Sequence, residues 1–248
     1  MPDPRPRSVP ILTYHQVGRF DPETVRRQRG NYVDADRFRA QMRLLHRLGY
    51  EAITLHRLQG WLESGETLPA RPVVITFDDA YACVFQHALP ALRELGWPAT
   101  TFVVSGQIGG RNEWDLPKGI APAHLMNEGE ITQVREAGWE IGAHSRSHPR
   151  LPDLATDILD GEIAGCRFEL SGLAGGPPTS WCYPYGLVDD RTRRAVHRAG
   201  YTAAVTLQRG VARPKSDPLL LRRVHVGYRQ RLPHFFWRVE SARLFGAG

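Results

Sequence analysis

Pro72-Val73-Val74-Ile75-Thr76-Phe77-Asp78-Asp79 is the stretch from which the rest of the chain can be organised. Its Val-Val-Ile run, followed by Thr and Phe, reads as a strand covered on both faces, and it stops on two adjacent carboxylates. Upstream, Val9–Tyr14 reads as a strand and Asp36–Leu48 as a helix, with Phe38, Met42, Leu45 and Leu48 at helical spacing and Gly49 as its stop. Tyr50–Thr54 is a short strand and His56–Ser64 a short helix. Downstream the alternation continues: helix Val84–Leu95 stopped by Gly96, strand Ala99–Val104, helix Asn127–Ala137 stopped by Gly138, and strand Trp139–Ala143. Leu154–Leu173 is the longest helical pattern, followed by strand Thr179–Tyr183, helix Asp189–Ala199 closed by Gly200, strands Tyr201–Thr206 and Leu219–Val226, and a terminal helix Pro233–Phe245. Repeated β-then-α units predict an α/β fold on a parallel sheet, closed or open. The Gly- and Pro-rich stretch Ser105–His124 reads as a surface loop near the functional face.

The 248 residues fit one large α/β domain, and the chain has no internal repeat and no linker that would divide it. Residues 1–8 are expected to form a flexible N-terminal segment, and residues 9–245 one domain. A hydrophobic share of 42% is enough for a sizeable core. The net charge of +6 comes almost wholly from arginine, since Lys118 and Lys215 are the two lysines among 32 basic residues. Codon bias accounts for that plainly, although arginine also suits phosphate or carboxylate recognition. No basic tract is interleaved with aromatics in the way of an RNA-binding motif, so no nucleic-acid partner is expected. Cys83, Cys166 and Cys182 lack CxxC spacing, which argues against a disulfide framework and a thiolate zinc site. The start Met1-Pro-Asp-Pro-Arg has no signal-peptide core, and no run approaches about 18 apolar residues. The expectation is a cytoplasmic protein, working in solution or at the inner membrane face.

The chemistry sits at strand ends. Asp78 and Asp79 follow the strand ending at Phe77, His144 follows Trp139–Ala143, Tyr183-Pro184-Tyr185-Gly186 follows Thr179–Tyr183, and His225 lies at the end of the last strand. In a parallel β/α barrel these ends open on one face, where such folds build their sites. Of the aspartates, Asp79 can ligate a metal while Asp78 takes a proton from a water that the ion acidifies from a pKa of about 16 to roughly 7. The plainer alternative is an N-cap or a solvated turn. His144 and His148, at i and i+4 with Ser145 and Ser147 between, can aim both rings at one point on a helical turn or a loop that mimics it. With Asp79 they make a three-ligand set of the catalytic-zinc type. A structural histidine is the ordinary alternative for each ring.

Thr76-Phe77-Asp78-Asp79, His144-Ser145-x-x-His148 and Tyr183-Pro184-Tyr185-Gly186 resemble the successive motifs of the polysaccharide deacetylases, the NodB-homology domain of carbohydrate esterase family 4. Ile11-Leu-Thr-Tyr-His15, Leu89-Pro90, Pro98–Phe102, His148–Leu151 and Arg223-Val-His225 extend the likeness over about positions 9 to 240. The resemblance implies a single-domain, distorted (β/α)7 TIM-like barrel. It implies that Asp79, His144 and His148 bind a divalent ion, Zn2+ first and Co2+, Ni2+ or Mn2+ as alternatives, and that Asp78 is the general base. Water would attack an N-acetyl carbonyl, with a backbone N–H at Tyr185 holding the oxyanion and His225 as the candidate acid. Tyr183, Pro184, Tyr185, His15 and Trp114 would bind the sugar, with Asp115 beside Trp114 in the long loop.

The chain also departs from the family pattern. Cys182 stands where many members carry an arginine that orients the base, and Arg222 or Arg223 is a candidate to replace it. Ala80 replaces a usual glycine, a small change on sequence grounds, and His225 is flanked by Val224 and Val226. The expected partner is an N-acetylated glycan, either a polysaccharide or a lipid-linked precursor. Two alternatives are a deformylase or other linear-amide hydrolase built on the same residues, and a carbohydrate-binding protein without catalysis. The segment Arg231–Arg238, basic and aromatic, reads as core packing of the terminal helix or as contact with a membrane surface.

Overall fold

The computed structural model describes residues 6–20 and 30–245. The strand expected at Pro72–Phe77 is β5, with those bounds, and it anchors the sheet. It pairs in parallel with β1 (Ile11–Tyr14), from Ile11↔Val74 to Tyr14↔Phe77, and β1 pairs in turn with β10 (Leu221–His225). From β10 the order runs through β9 (Ala203–Arg209), β8 (Ser180–Cys182), β7 (Glu140–Ala143) and β6 (Thr100–Val103) back to β5. The result is a closed barrel of seven parallel strands. An eighth, β4 (Glu51–Ile53), pairs only with the first half of β5, while β6 pairs with its second half at Thr76↔Thr100 and Phe77↔Thr101. That shared strand is the distortion of the ring.

The helices fall between the strands: α1 (Ala35–Arg47), α2 (Leu55–Ser64), α3 (Ala82–Arg93), α4 (Glu128–Glu136), α5 (Thr156–Ala174), α6 (Asp190–Arg198) and α7 (Leu232–Phe245). Local chemistry fixes several starts. Asp34 caps α1, Asn127 and Glu130 form a capping box on α4, and Asp189 caps α6. In α1 the residues expected to face inward, Phe38, Met42 and Leu45, are buried.

Strand alternation sorts side chains between the helix layer and the barrel interior. On β5, Val73, Ile75 and Phe77 join the cluster under the helices, whereas Val74 joins Ile11, Phe102, Val205 and Leu221 in a second cluster capped by Leu55, Leu58 and Trp61 of α2. Thr76 and Asp78 therefore continue the inward row of Val74, and Arg223 and His225 continue the inward row of Leu221.

Element boundaries differ from expectation mostly by one or two residues, the ordinary fraying of ends. β9 is the larger exception, running to Arg209 rather than Thr206. β2 (Gln16–Gly18) and β3 (Tyr32–Asp34), paired with each other beside the barrel, were not expected: β2 follows β1 after a single residue and β3 runs straight into α1, so neither stands apart as a bounded run. The Ser105–His124 stretch is a loop with 3₁₀ turns at Ser105–Gln107 and Glu113–Lys118, closed by a bridge between Arg111 and His124. Of the N-terminal segment expected to be flexible, residues 1–5 lie outside the described residues, while Ser8 is buried and its Oγ donates to the carbonyl of Arg243. No helix among the described residues is long and apolar enough to cross a membrane.

Candidate active site

Asp78, Asp79, His144, His148, Tyr183, Tyr185, His225, His15 and Trp114 all line one cavity of about 220 Å³ at the C-terminal ends of the strands. Pro184 is the exception among the expected site residues: it is buried and does not line the cavity. Asn31, Asp115, Lys118, Gly186 and Leu207 complete the lining.

The described non-glycine residues with positive φ are Asp79 (69°), Ala80 (53°), Ser145 (64°), His148 (59°) and Tyr185 (58°), all in the loops after β5, β7 and β8. Left-handed backbone costs about 1–2 kcal/mol for such residues, and it persists where surrounding contacts over-determine it. Here it turns consecutive side chains to different targets: Asp78 into the barrel, Asp79 towards the histidines. Ala80 stands in a conformation that glycine adopts at no steric cost. Gly186 (φ 68°) is constrained more tightly still, since a Cβ there would lie 2.7 Å from the Cβ of Leu207.

Asp78 is locked to Arg223. Nη1 and Nη2 of Arg223 donate to Oδ1 and Oδ2 of Asp78, each at 2.7 Å. The remaining guanidinium hydrogens go to the Thr206 carbonyl (2.8 Å), Thr76 Oγ1 (3.0 Å) and Cys182 Sγ (3.4 Å). Both partners are almost fully buried. Burial alone would raise the Asp78 pKa, but the Arg223 charge and hydrogen bonds outweigh it and hold the carboxyl below its usual range. Of the two arginines considered, Arg223 meets Asp78, because alternation on β10 turns it inward with Leu221. His15 Nε2 lies 3.8 Å from Asp78 Oδ2.

His144 Nδ1 lies 2.7 Å from the carbonyl oxygen of Cys182. A carbonyl can only accept, so Nδ1 carries a hydrogen, and in the neutral ring Nε2 presents the lone pair. That lone pair faces Asp79 Oδ1 at 3.2 Å, and His148 Nε2 faces the same oxygen at 3.4 Å. Asp79 Oδ1 is buried without a hydrogen-bond partner. One ligand atom from each of the three residues lies within 4.8 Å of the others. Two ring nitrogens and a carboxylate oxygen converging on a buried point are what a divalent cation satisfies, with release of any proton held there, so the residues fit a metal. Burial opposes the His144 imidazolium, but Cys182 and Asp79 outweigh it and raise its pKa, so a cation taken up here would displace a proton from Nε2. For His148 burial prevails and lowers the pKa to about 3, which leaves a neutral imidazole.

The His144–His148 segment is a loop, not a helical turn, and α5 clamps it. Oε2 of Glu162 accepts from the backbone N–H groups of Arg146 (2.8 Å) and Ser147 (2.9 Å), and Oε1 accepts from Ser147 Oγ (2.6 Å). Ser145 Oγ accepts from His148 N–H at 2.9 Å. The small residues between the histidines therefore build the loop.

Trp114 stacks on His148 at 4.6 Å, and Tyr185 meets the same ring edge-on at 4.5 Å. Asp115 accepts from Asn112 Nδ2 (3.0 Å) and Lys118 Nζ (2.7 Å), and Lys118 also lies 4.6 Å from the Tyr185 ring centre. The loop expected near the site is therefore a pinned wall of it. At His225 burial, with the charges of His15 and Arg223, lowers the pKa to about 4, so the ring is neutral at pH 7. Sequence reasoning missed Asn31, Lys118 and Leu207. Lys118 was visible as one of two lysines, while Asn31 and Leu207 belong to no motif and carried no signal.

A family model described as polysaccharide deacetylase matches residues 65–204, more than half of the chain. The Bacillus subtilis protein YxkH, whose name assigns it to the polysaccharide deacetylases provisionally, is 27% identical over 224 residues, 90% of this chain and 72% of that protein. A poly-β-1,6-N-acetyl-D-glucosamine N-deacetylase of Staphylococcus epidermidis is 25% identical over 236 residues, 88% of this chain and 79% of the relative. The solved structure of Streptococcus pyogenes deacetylase PplD in complex with acetate matches with a TM-score of 0.81 at 23% identity, over 94% of this chain and 99% of that one. At that identity the likeness speaks for the fold.

Proposed function

We propose that this chain, which belongs to the polysaccharide deacetylase family, hydrolyses the acetamide of an N-acetylated sugar in a glycan, releasing acetate and a free amine. Residues 9–245 act as the one catalytic unit. The reading rests on a single observation: the buried convergence of Asp79 Oδ1, His144 Nε2 and His148 Nε2 beside a carboxylate, Asp78, that is held by Arg223.

Asp79, His144 and His148 would hold the divalent ion, most simply zinc given one carboxylate and two neutral imidazoles. When bound, the ion would polarise the amide carbonyl and acidify a water. Asp78 acts as the general base: Arg223 occupies one lone pair on each of its oxygens and fixes the carboxylate plane, leaving further lone pairs to take the proton. The Tyr185 backbone, left-handed at the cavity edge, is the candidate oxyanion donor. Trp114, Tyr185 and Leu207 offer apolar walls to the sugar face, with His15 and Tyr183 deeper in the cavity.

His225 starts neutral, so donation to the leaving amine requires it to gain a proton during turnover. The path for that gain would run from Asp78 through His15, whose ring centre is 6.1 Å from that of His225. The S. epidermidis relative makes poly-N-acetylglucosamine the first polymer to try, and a lipid-linked glycan the second. The experiment is stoichiometric metal analysis together with acetate release from N-acetylglucosamine oligomers, with Asp78→Asn as control. Bound metal without release of any acyl group from a panel of N-acyl sugars would overturn the reading.

A further inference from the structure

The terminal helix α7 is apolar on two faces. Phe235, Val239 and Ala242 pack into the core, yet Leu232, Phe236, Trp237 and Leu244 expose 37, 38, 61 and 55% of their surface. Exposed large apolar side chains gathered on one helix ordinarily have a cover. The neighbouring surface is basic. Leu232 lines a groove of about 410 Å³ with Arg39, Arg43, Leu44 and Arg47 of α1, and Arg229 and Arg231 are exposed on the approach to α7. The acidic groups nearby are engaged: Glu94 pairs with Arg39 and Arg43, Asp36 pairs with Arg19, and Glu240 accepts from Tyr50 Oη and pairs with Arg71 and Arg243.

We propose that this face docks on an anionic lipid surface, with Leu232, Phe236 and Trp237 entering the interface and the arginines of α1 and the 229–231 loop meeting the headgroups. Exposed aromatics flanked by arginine suit a bilayer boundary, where the rings sit at headgroup depth and the guanidinium groups remain hydrated. A second copy suits it less, because a two-fold contact would bring the same arginine cluster against itself. Within this chain, the segments outside the described residues are Met1–Arg5, Asp21–Gln28 with Arg29, and Gly246–Gly248; none is apolar enough in sequence to cover the face.

The face is also placed to matter for the site. His225 lines the cavity, and Val226–Arg231 leads directly from it to α7. That connection is pinned to α1, with Arg37 donating to the Tyr228 carbonyl and Gln41 Nε2 to the Gln230 carbonyl at 3.2 Å. Docking would therefore hold the cavity beside the bilayer, where a glycan attached to or leaving the membrane is presented. The inference rests on the surface alone and survives failure of the deacetylase reading.

The test is flotation of the full chain with vesicles of phosphatidylcholine alone and of phosphatidylcholine mixed with phosphatidylglycerol, with circular dichroism as the folding control. Binding is expected for the mixed vesicles, weakening by about tenfold or more when ionic strength is raised well above physiological. Trp237, the most exposed tryptophan, should shift its emission to the blue. Phe236→Ser with Trp237→Ser, and separately Arg43→Glu with Arg47→Glu, should each lower binding by about tenfold or more. These residues lie outside the cavity, so folding and turnover of a soluble substrate should stay unchanged. No binding to mixed vesicles, equal binding to neutral ones, or full binding by either double variant overturns the proposal. So does a dimer in sedimentation that the Phe236→Ser, Trp237→Ser variant returns to monomer, which would make a second copy the occupant.

Discussion

Replacing Arg223 with methionine tests the site most directly, because that one side chain serves both the base and the fold. The guanidinium makes two 2.7 Å bonds to Asp78 and three more to Thr206, Thr76 and Cys182, all inside the barrel. Deleting one partner of a buried ion pair leaves the other charge uncompensated and costs about 3–5 kcal/mol. For a chain of this length that is a fall in Tm of about 6–20 °C. The acid–base consequence has a definite sign. Arg223 lowers the Asp78 pKa against the opposing effect of burial, so without it burial raises the pKa and the acid limb of the pH–rate profile moves to higher pH. Because the folded-state pKa is depressed, the pair's contribution to stability is present above the unfolded carboxyl value and is lost as pH falls through the folded value. The stability gap between parent and variant should therefore narrow in acid. Asp78→Asn together with Arg223→Met should recover most of the stability and none of the activity. Arg223→Lys, which keeps one charge but cannot span two oxygens, should fold, with reduced kcat. The assays are thermal melts across pH and acetate release from the same preparations. An Arg223→Met protein with parental kcat, an unmoved acid limb and a stability loss under about 1 kcal/mol would refute the reasoning.

Further outcomes follow from the same geometry. Asp79→Ala or His144→Ala should abolish stoichiometric metal, read by elemental analysis, and chelation of the parent should remove activity that added zinc restores. Glu162→Ala, which removes the clamp on residues 146–147 without touching a ligand, should weaken metal affinity by about 10–100-fold, as measured by competition with a chelating dye. If His225 gains its proton through His15, His15→Asn and His225→Asn should each depress kcat, and the double variant should be no worse than the poorer single. Gly186→Ala should destabilise the fold and raise KM, because its Cβ would press on Leu207 while φ stays left-handed.

What could be read in the sequence divides by backbone type. Residues on strands were legible as strand residues but not always by face. Alternation puts Arg223 and His225 inward once Leu221 is inward, yet Leu219–Leu221, Val224 and Val226 offer apolar residues to both faces, so the sequence left both Arg222 and Arg223 open. β2 and β3 were illegible because they adjoin β1 and α1 with no turn signal between, and the end of β9 was set short. Its polar continuation, Gln208 and Arg209, pairs with β10 at Arg223↔Arg209 without the apolar pattern that marks a buried strand. Residues in loops were legible only as motifs. His144 and His148 were paired by spacing, yet a helical turn and a loop were equally admissible, and the choice is made by Glu162, a residue on α5 that no local pattern connects to them. Trp114 was noticed as an aromatic in a loop; its stacking on His148 depends on the Asn112–Asp115–Lys118 contacts that fold that loop inward.

The same division explains where the fold carries its strain. Strand ends deliver Asp78 and His144 to the cavity with ordinary backbone, but a site that separates a base from a metal ligand one residue later must reverse direction within one peptide. Asp79 and Ala80, both left-handed, make that reversal. Ala80→Gly isolates its cost. Relief of the left-handed penalty favours glycine by about 1–2 kcal/mol, and the greater freedom of the unfolded glycine chain returns about 0.4–1 kcal/mol. Ala80 is buried, so its lost methyl contact takes back about 0.8 kcal/mol more. The terms nearly cancel, and the expected change in stability is within about 1 kcal/mol of zero, with turnover unchanged where an ion shared with the histidines orients Asp79, as proposed. A gain of several kcal/mol in the melt would mean that the turn is more strained than its φ values imply. A collapse of kcat would mean that the Ala80 methyl, and not the ligand set, orients Asp79.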